Sequence, residues 1–295
     1  MKGPLLGIAI MIAGLLVFAV LNGVVKDQAQ RFPVTEIVFF RNLFGLIPLL
    51  AAVPFAGGWR SLRPVNVPGH LIQAAAMSVT LLCAYMAFAS IPLAEATAIL
   101  FLQPVILVVI AHFFLKERAG PAAWIAVLLG FAGVLLIARP VGMGVGPGTI
   151  AAIGGAVFGA IAIAQVRTLA GSNSALSITI WYMVLSTVIF LPTTAFFWAT
   201  PSPADLAGLV LMGLVSGAGQ FLVILPFRYA SAATLGPVQY FSIVGGLLVG
   251  YFWFAEVPSW TTIIGAVIVM SAMGLVLPRR TTAAIPGVSA REPAA

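Results

Sequence analysis

The sequence predicts an all-α integral membrane protein of ten transmembrane helices, arranged as two inverted five-helix repeats. Three observations carry that expectation. Of 295 residues, 62% are hydrophobic and 7% are charged, whereas soluble domains carry about 25% charged residues. The apolar residues fall in continuous, helix-length runs rather than the alternating pattern of a membrane barrel. Short motifs recur at a nearly constant offset between the two halves of the chain.

A spanning helix needs about 20 apolar residues. In chain order the runs of that kind are Leu5–Val25, Val34–Phe55, His70–Ser90, Leu93–Leu115, Pro121–Ala138, Thr149–Val166, Ala175–Ala199, Leu206–Phe227, Ser231–Phe254 and Trp260–Leu277. The first is expected to be a retained helix rather than a signal peptide. Its run exceeds a usual signal core, and Asn22-Gly23-Val24 leads straight into Lys26-Asp27 without a clear cleavage site. The connectors Pro54–Pro68, Lys116–Gly120 and Gly142–Gly148 are short and turn-rich, with no room for a second domain. The polar, Pro/Ala-rich tail from Thr281 to Ala295 is expected to be disordered.

Charge placement sets the expected orientation. With the N-terminus inside, the inner connectors and tails hold Lys2, Arg60, Arg63, Lys116, Arg118, Arg167, Arg228, Arg279, Arg280 and Arg291. The outer connectors hold Lys26, Arg31 and Arg139, and Arg41 lies within a span, which accounts for all 14 cations. That bias places both termini in the cytoplasm. The cations stand singly or in pairs, so the net charge of +7 does not form the basic patch that nucleic acid would need. Cys83 is the single cysteine, which excludes an internal disulfide and a multi-cysteine metal site.

The halves resemble each other. Phe113-Phe114-Leu115-Lys116-Glu117 is matched by Trp253-Phe254-Ala255-Glu256, with the glutamates 139 residues apart. Met86-Ala87-Phe88-Ala89-Ser90 matches Phe227-Arg228-Tyr229-Ala230-Ser231 at an offset of 141, and Gly133-Val134-Leu135-Leu136 matches Gly274-Leu275-Val276-Leu277 at the same offset. Five spans per half is odd, so the second half enters the membrane from the opposite side. Inverted repeats suit alternating access around a mid-membrane site.

Ten spans in a 5+5 duplication, Arg41 early in span two, and Glu117 and Glu256 after spans four and nine resemble the drug/metabolite transporter superfamily, EamA type. The stretch from Leu102-Gln103-Pro104-Val105 to Leu115-Lys116-Glu117 is similar to that family's span-four signature, and the resemblance covers about residues 5–280. It implies one EamA-like repeat over 1–140, a second over 147–280 and a cytoplasmic tail over 281–295. It also implies a secondary active transporter in a bacterial inner membrane. The solute would be a small amphipathic organic metabolite: an amino acid, a vitamin such as riboflavin, or a solute like S-adenosylmethionine. One departure is Ile243, where the family often has the proline that matches Pro104; helix breaking in the second half is expected at Pro237, beside Gly236.

Ionisable side chains inside a membrane cost at least about 2.5 kcal/mol at a helix centre and so mark gates, coupling sites or ion pairs. Glu36, Arg41 and Glu95 are the candidates. Glu36 and Arg41 are five residues apart, about 140° around a helix, so Arg41 needs a partner from another span, and Glu95 is the expected one. Polar residues at helical spacing mark cavity faces: Gln239, Ser242 and Gly246; Gly213, Ser216 and Gln220; Tyr182, Ser186 and Thr193; Ser78 and Tyr85; Phe18 and Asn22; and Gln103 beside Pro104. Gln103, Gln239, Tyr85, Tyr240, Asn22 and Tyr182 are the expected substrate contacts. Trp181 is expected at the membrane interface. The pairs Gly155/Gly159, Gly213/Gly217 and Gly246/Gly250 are expected to let helices approach closely.

Rival classes fit less well. An intramembrane enzyme needs clustered acids, bases or nucleophiles, and His70 and His112 stand alone near span ends. A channel-like facilitator would need a filter or a ring of like charges. No Walker-type motif is present for a nucleotide. The expected partners are a small organic solute and membrane lipid, with no nucleic acid, no cofactor and no metal, in a monomer or homodimer. An aromatic, amide-dotted cavity favours a neutral or zwitterionic solute over a polyanion.

Overall fold

The computed structural model describes residues 2–55, 57–113, 121–138, 146–229, 235 and 237–276. The described residues form helices and connecting turns, with no strand. The helices are α1 (Lys2–Gln28), α2 (Val34–Ala52), α3 (Val67–Ser90), α4 (Leu93–Leu100), α5 (Gln103–Phe113), α6 (Pro121–Ala138), α7 (Pro147–Leu169), α8 (Ala175–Phe196), α9 (Pro203–Ile224), α10 (Phe241–Phe254) and α11 (Trp260–Val276). Among the described residues, seven segments are long and apolar enough to cross a membrane, and the apolar helices Val127–Ile137, Phe241–Phe254 and Trp260–Ala272 are shorter. The chain is a multi-pass helical membrane protein.

Polar N-caps start three of the helices, and α3 and α9 thereby begin three residues before their apolar runs do. Asn66 accepts the N–H of Gly69 at 3.0 Å, Ser174 that of Ser177 at 3.1 Å, and Ser202 that of Asp205 at 3.2 Å. Each cap satisfies a donor that the helix leaves orphaned. The expected single span Leu93–Leu115 is two helices, with the break at Phe101–Leu102 and Pro104 the second residue of α5. Proline suits that position, where its missing N–H has no helical partner to lose. In the second half Pro237 opens a 3-10 turn, Pro237–Tyr240, that leads into α10. Gly236, Glu117 and the tail from Thr281 lie outside the described residues.

The helices pack in pairs. α3 lies along α7, α6 along α11, α2 against both α8 and α9, and α1 against α9 and α10. Glycines set the closest seams. A Cβ on Gly217 would sit 2.2 Å from the carbonyl oxygen of Gly45, and one on Gly213 2.6 Å from Cβ of Phe44. Gly133 and Gly265 face each other's backbone reciprocally across α6 and α11. Gly155 and Gly159 admit Leu100 and Gln103, and Gly246 admits Thr97. These are close helix approaches that any larger residue would block.

Candidate functional site

A cavity of about 360 Å³ opens among α1, α2, α3, α5 and α9. Its polar lining is Asn22, Arg41, Tyr85, Gln103 and Ser216; Phe18, Phe88, Met77 and Met212 are among its apolar walls. A few convergent polar groups on an apolar surface are what a small-molecule site requires. A second cavity of about 510 Å³, between α1 and α9, is lined by aliphatic residues, Met212 and Gly208 alone, so nothing in it can orient a solute.

Arg41 dominates the first cavity. It is 8% exposed and sits seven residues into α2, about 10 Å of helix rise. Its Nη1 donates to Asn42 Oδ1 at 3.3 Å and to the Tyr182 hydroxyl at 3.4 Å, both longer than the ordinary N–H···O range of about 2.7–3.2 Å. Its guanidinium carbon lies 6.0 Å from the centre of the Tyr85 ring, within cation–π reach. Asn42, fully buried, donates from Nδ2 to Ser186 Oγ at 2.8 Å. Arg41, Asn42, Tyr182 and Ser186 thus form one buried network across α2 and α8, which behaves as a unit.

The expected partner of Arg41 is not the one found. Glu95 Oε1 accepts the hydroxyl proton of Thr262 at 2.9 Å, in a small crevice with Pro92, Gly250 and Pro258. The physical reason is the break after Leu100: α4 is a short helix packed on α10 and α11, which directs its first turn away from α2. Glu36 is also elsewhere. It is fully buried, its Oε2 accepts the Ala199 N–H at 3.0 Å, and its Oε1 has no partner. The ion pairs among the described residues are Lys26–Glu256, Arg31–Asp27 and Arg31–Asp205; Arg41 is in none of them.

Of the expected substrate contacts, Asn22, Tyr85 and Gln103 line the cavity, and Tyr182 reaches it through Arg41. Gln239 is half-buried in the 3-10 turn before α10, where its carbonyl accepts from Ser242, and it is not in the cavity wall. The side chain of Tyr240 lies outside the described residues. Trp181 donates its Nε1–H to the Leu62 carbonyl at 2.7 Å, pinning the connector that precedes α3. His112 packs edge-on against Phe113 and Trp124. Asn42 was missed, although an amide beside Arg41 within an apolar run was a visible signal.

A second cluster ties helix ends together on the face where α1, α3, α8 and α10 terminate. Lys26 pairs with Glu256 and donates to the Ile91 carbonyl at 2.9 Å. Glu256 also accepts the Leu93 N–H at 3.0 Å. Arg31 bridges Asp27 and Asp205, each at 2.8 Å. Ala255 turns the chain into place with φ of 53°, and the Glu256 N–H donates back to the Gly250 carbonyl at 2.9 Å, the helix-ending geometry in which glycine is usual.

Comparison with known proteins gives consistent matches along the chain. The model of the EamA-like transporter family matches residues 5–139 and 146–277. The chain is 28% identical over 269 residues to the pseudopaline exporter CntI of Pseudomonas aeruginosa, covering 90% of this chain and 94% of that one. It is 27% identical to a riboflavin transporter of Rhizobium johnstonii, over 89% and 87% of the two chains. It is 26% identical to an S-adenosylmethionine uptake transporter of Rickettsia bellii, over 84% of each. A crystal structure described only as that of a protein superposes with a TM-score of 0.64 at 18% identity, over 92% of this chain and 95% of its own; it supports the fold alone.

Proposed function

This chain belongs to the EamA-like transporter family, and from that premise we propose how it works as a small-metabolite transporter. It is a secondary carrier of ten spans, built as two inverted five-helix repeats over 1–140 and 147–280, with both termini on the cytoplasmic side of a bacterial inner membrane. The halves rock about the Arg41 cavity, which opens to each side in turn. The solute is a small amphipathic organic metabolite, in keeping with the pseudopaline, riboflavin and S-adenosylmethionine named for its relatives.

One observation carries the reading: a cavity whose polar groups come from both halves, α1, α2, α3 and α5 on one side and α9 on the other. The repeat has support in the packing. Under an exchange of halves α2 maps onto α8 and α6 onto α11, and each of these pairs packs together, as mates beside a two-fold axis must. Arg41 and Tyr182, bonded to each other, are 141 residues apart, the offset at which the sequence repeats. Inverted halves also explain why Lys26, Arg31, Ile91, Leu93, Asp205 and Glu256 gather on one face. That face is the outer one, and the Lys26–Glu256 pair is its closed gate. Gln103, Asn22 and Tyr85 contact solute, Tyr182 positions Arg41, and Glu36 is the candidate for proton coupling, with its free Oε1.

The test is counterflow with the full chain in lipid vesicles. Saturable uptake of a labelled solute, accelerated by the same solute inside, supports the carrier. Unsaturable flux would make it a channel, and a changed product an enzyme.

A further inference from the structure

We propose that the solute is recognised through a carboxylate held by Arg41, and that a positive charge on the solute is not required. The inference rests on the carrier reading and narrows its substrate class. A guanidinium has five N–H donors, yet among the described residues Arg41 meets neutral groups alone: two long bonds from Nη1 to Asn42 and Tyr182, and the Tyr85 side chain beside it. Placing a charge in a membrane interior without a counter-charge is costly. No described acid is bonded to Arg41: Asp27 and Asp205 pair with Arg31, Glu256 with Lys26, Glu95 accepts from Thr262, and Glu36 accepts the Ala199 N–H. A solute carboxylate can supply the counter-charge, since Arg41 lines a cavity large enough for a compact solute.

A second, independent group points the same way. Ser216 Oγ is fully buried, lines the same cavity and has no hydrogen-bond partner. A buried hydroxyl without a partner is uncommon and calls for one. A carboxylate can accept two parallel N–H bonds from a guanidinium fork, and a polar solute atom satisfies the hydroxyl. The apolar walls, among them Phe18, Phe88, Met77 and Met212, suit an apolar or aromatic body. Among the cavity-lining residues there is no carboxylate to receive an ammonium; Asn22 and Gln103 offer only neutral oxygens. The cavity as built thus favours a compact monocarboxylate, and treats an amino group as optional.

The test measures binding to purified full-length protein with four matched probes: 3-phenylpropanoate, phenylalanine, phenylalaninamide and 2-phenylethylamine. The two carboxylates are expected to bind, and the amide and the amine to bind about 10- to 100-fold more weakly, the scale of a lost charged hydrogen-bonded contact. Arg41→Gln should remove that preference, and Arg41→Lys should restore part of it. Because a buried arginine is a risky site, the ligand series on the unaltered protein and Ser216→Ala, expected to weaken carboxylate binding with little loss of folding, stand as separate readouts. Indifference to replacing the carboxylate by an amide, or no binding by either carboxylate, overturns the inference. Saturable counterflow of an uncharged or cationic solute, blocked by Met212→Trp but unaffected by Arg41→Gln, overturns it and leaves the carrier standing. Loss of counterflow for every solute tried would remove the carrier reading itself.

Discussion

Replacing Gly217 by alanine should split the seam that builds the solute cavity. In a helix the exchange would ordinarily gain up to about 1 kcal/mol from backbone propensity. Here the new Cβ would lie 2.2 Å from the Gly45 carbonyl oxygen, 2.6 Å from Pro48 Cγ and 3.0 Å from the Gly45 carbonyl carbon. Non-bonded carbons settle at about 3.5–4.0 Å, so the backbone of α2 must retreat by about 1 Å. Two of those contacts are backbone atoms, which cannot swing aside. Forcing such a shift in a packed interior costs about 1–3 kcal/mol or more, which outweighs the propensity gain. The displaced helix also carries Arg41 one turn before Gly45, while α9 carries Met212 and Ser216. Gly208→Ala on the same helix is the control, since its Cβ would meet only Gln28 Nε2 at 3.8 Å. Thermal unfolding of purified protein should show Gly217→Ala melting clearly lower, with counterflow reduced, and Gly208→Ala unchanged or higher. Equal melting of the two variants would refute the close α2–α9 approach.

Other expectations follow from single contacts. Ala255→Gly should raise stability by about 0.5–1 kcal/mol, because alanine at φ 53° bears a left-handed penalty of about 1–2 kcal/mol that the glycine's added unfolded-chain freedom only partly cancels; a lower melting temperature would contradict it. Ser202→Ala removes the cap on α9 and should cost about 1 kcal/mol, read by the same melt. Glu36→Gln keeps an oxygen for the Ala199 N–H and should fold normally, whereas Glu36→Leu orphans that donor at a cost of about 1–3 kcal/mol. Lys26→Gln should loosen the gate, seen as faster modification of outer-face cysteines introduced beside Ile91.

Much of the fold was legible because lipid imposes a simple rule: every span must be apolar and helical. The apolar runs and the glycine pairs on α7 and α9 followed directly, whereas of the α10 pair only Gly246 meets another helix and Gly250 faces Glu256. The break in Leu93–Leu115 was half visible in Pro104, but its position at Phe101–Leu102 depends on packing against α7 and α10, which no local pattern encodes. The site was legible in part for the same reason. Arg41, Asn22, Tyr85 and Gln103 stand out as polar groups in apolar runs. Met77, Leu81 and Met212 do not, since a cavity wall and a lipid-facing surface use the same side chains. Pairing was the hardest feature to read. Arg41 and Glu95 are complementary in charge and both near the starts of their spans, yet the packing of the short α4 on α10 and α11 gives Glu95 to Thr262. Lys26 and Glu256 read separately as a loop cation and a repeat marker, and only tertiary contact makes them a pair.

In the carrier proposed above, one cavity serves both sides of the membrane in turn. It is tested most directly by cysteine accessibility at position 216, with Cys83, the native thiol, replaced by alanine and Ser216 by cysteine. The full chain is sealed in oriented vesicles and treated with a membrane-impermeant thiol reagent from each face. Modification is expected from either face, slowed from both by a bound solute, with the outer-face rate rising when Lys26→Gln opens the gate. Reaction from one face only, whatever the solute or the state of Lys26, would contradict it.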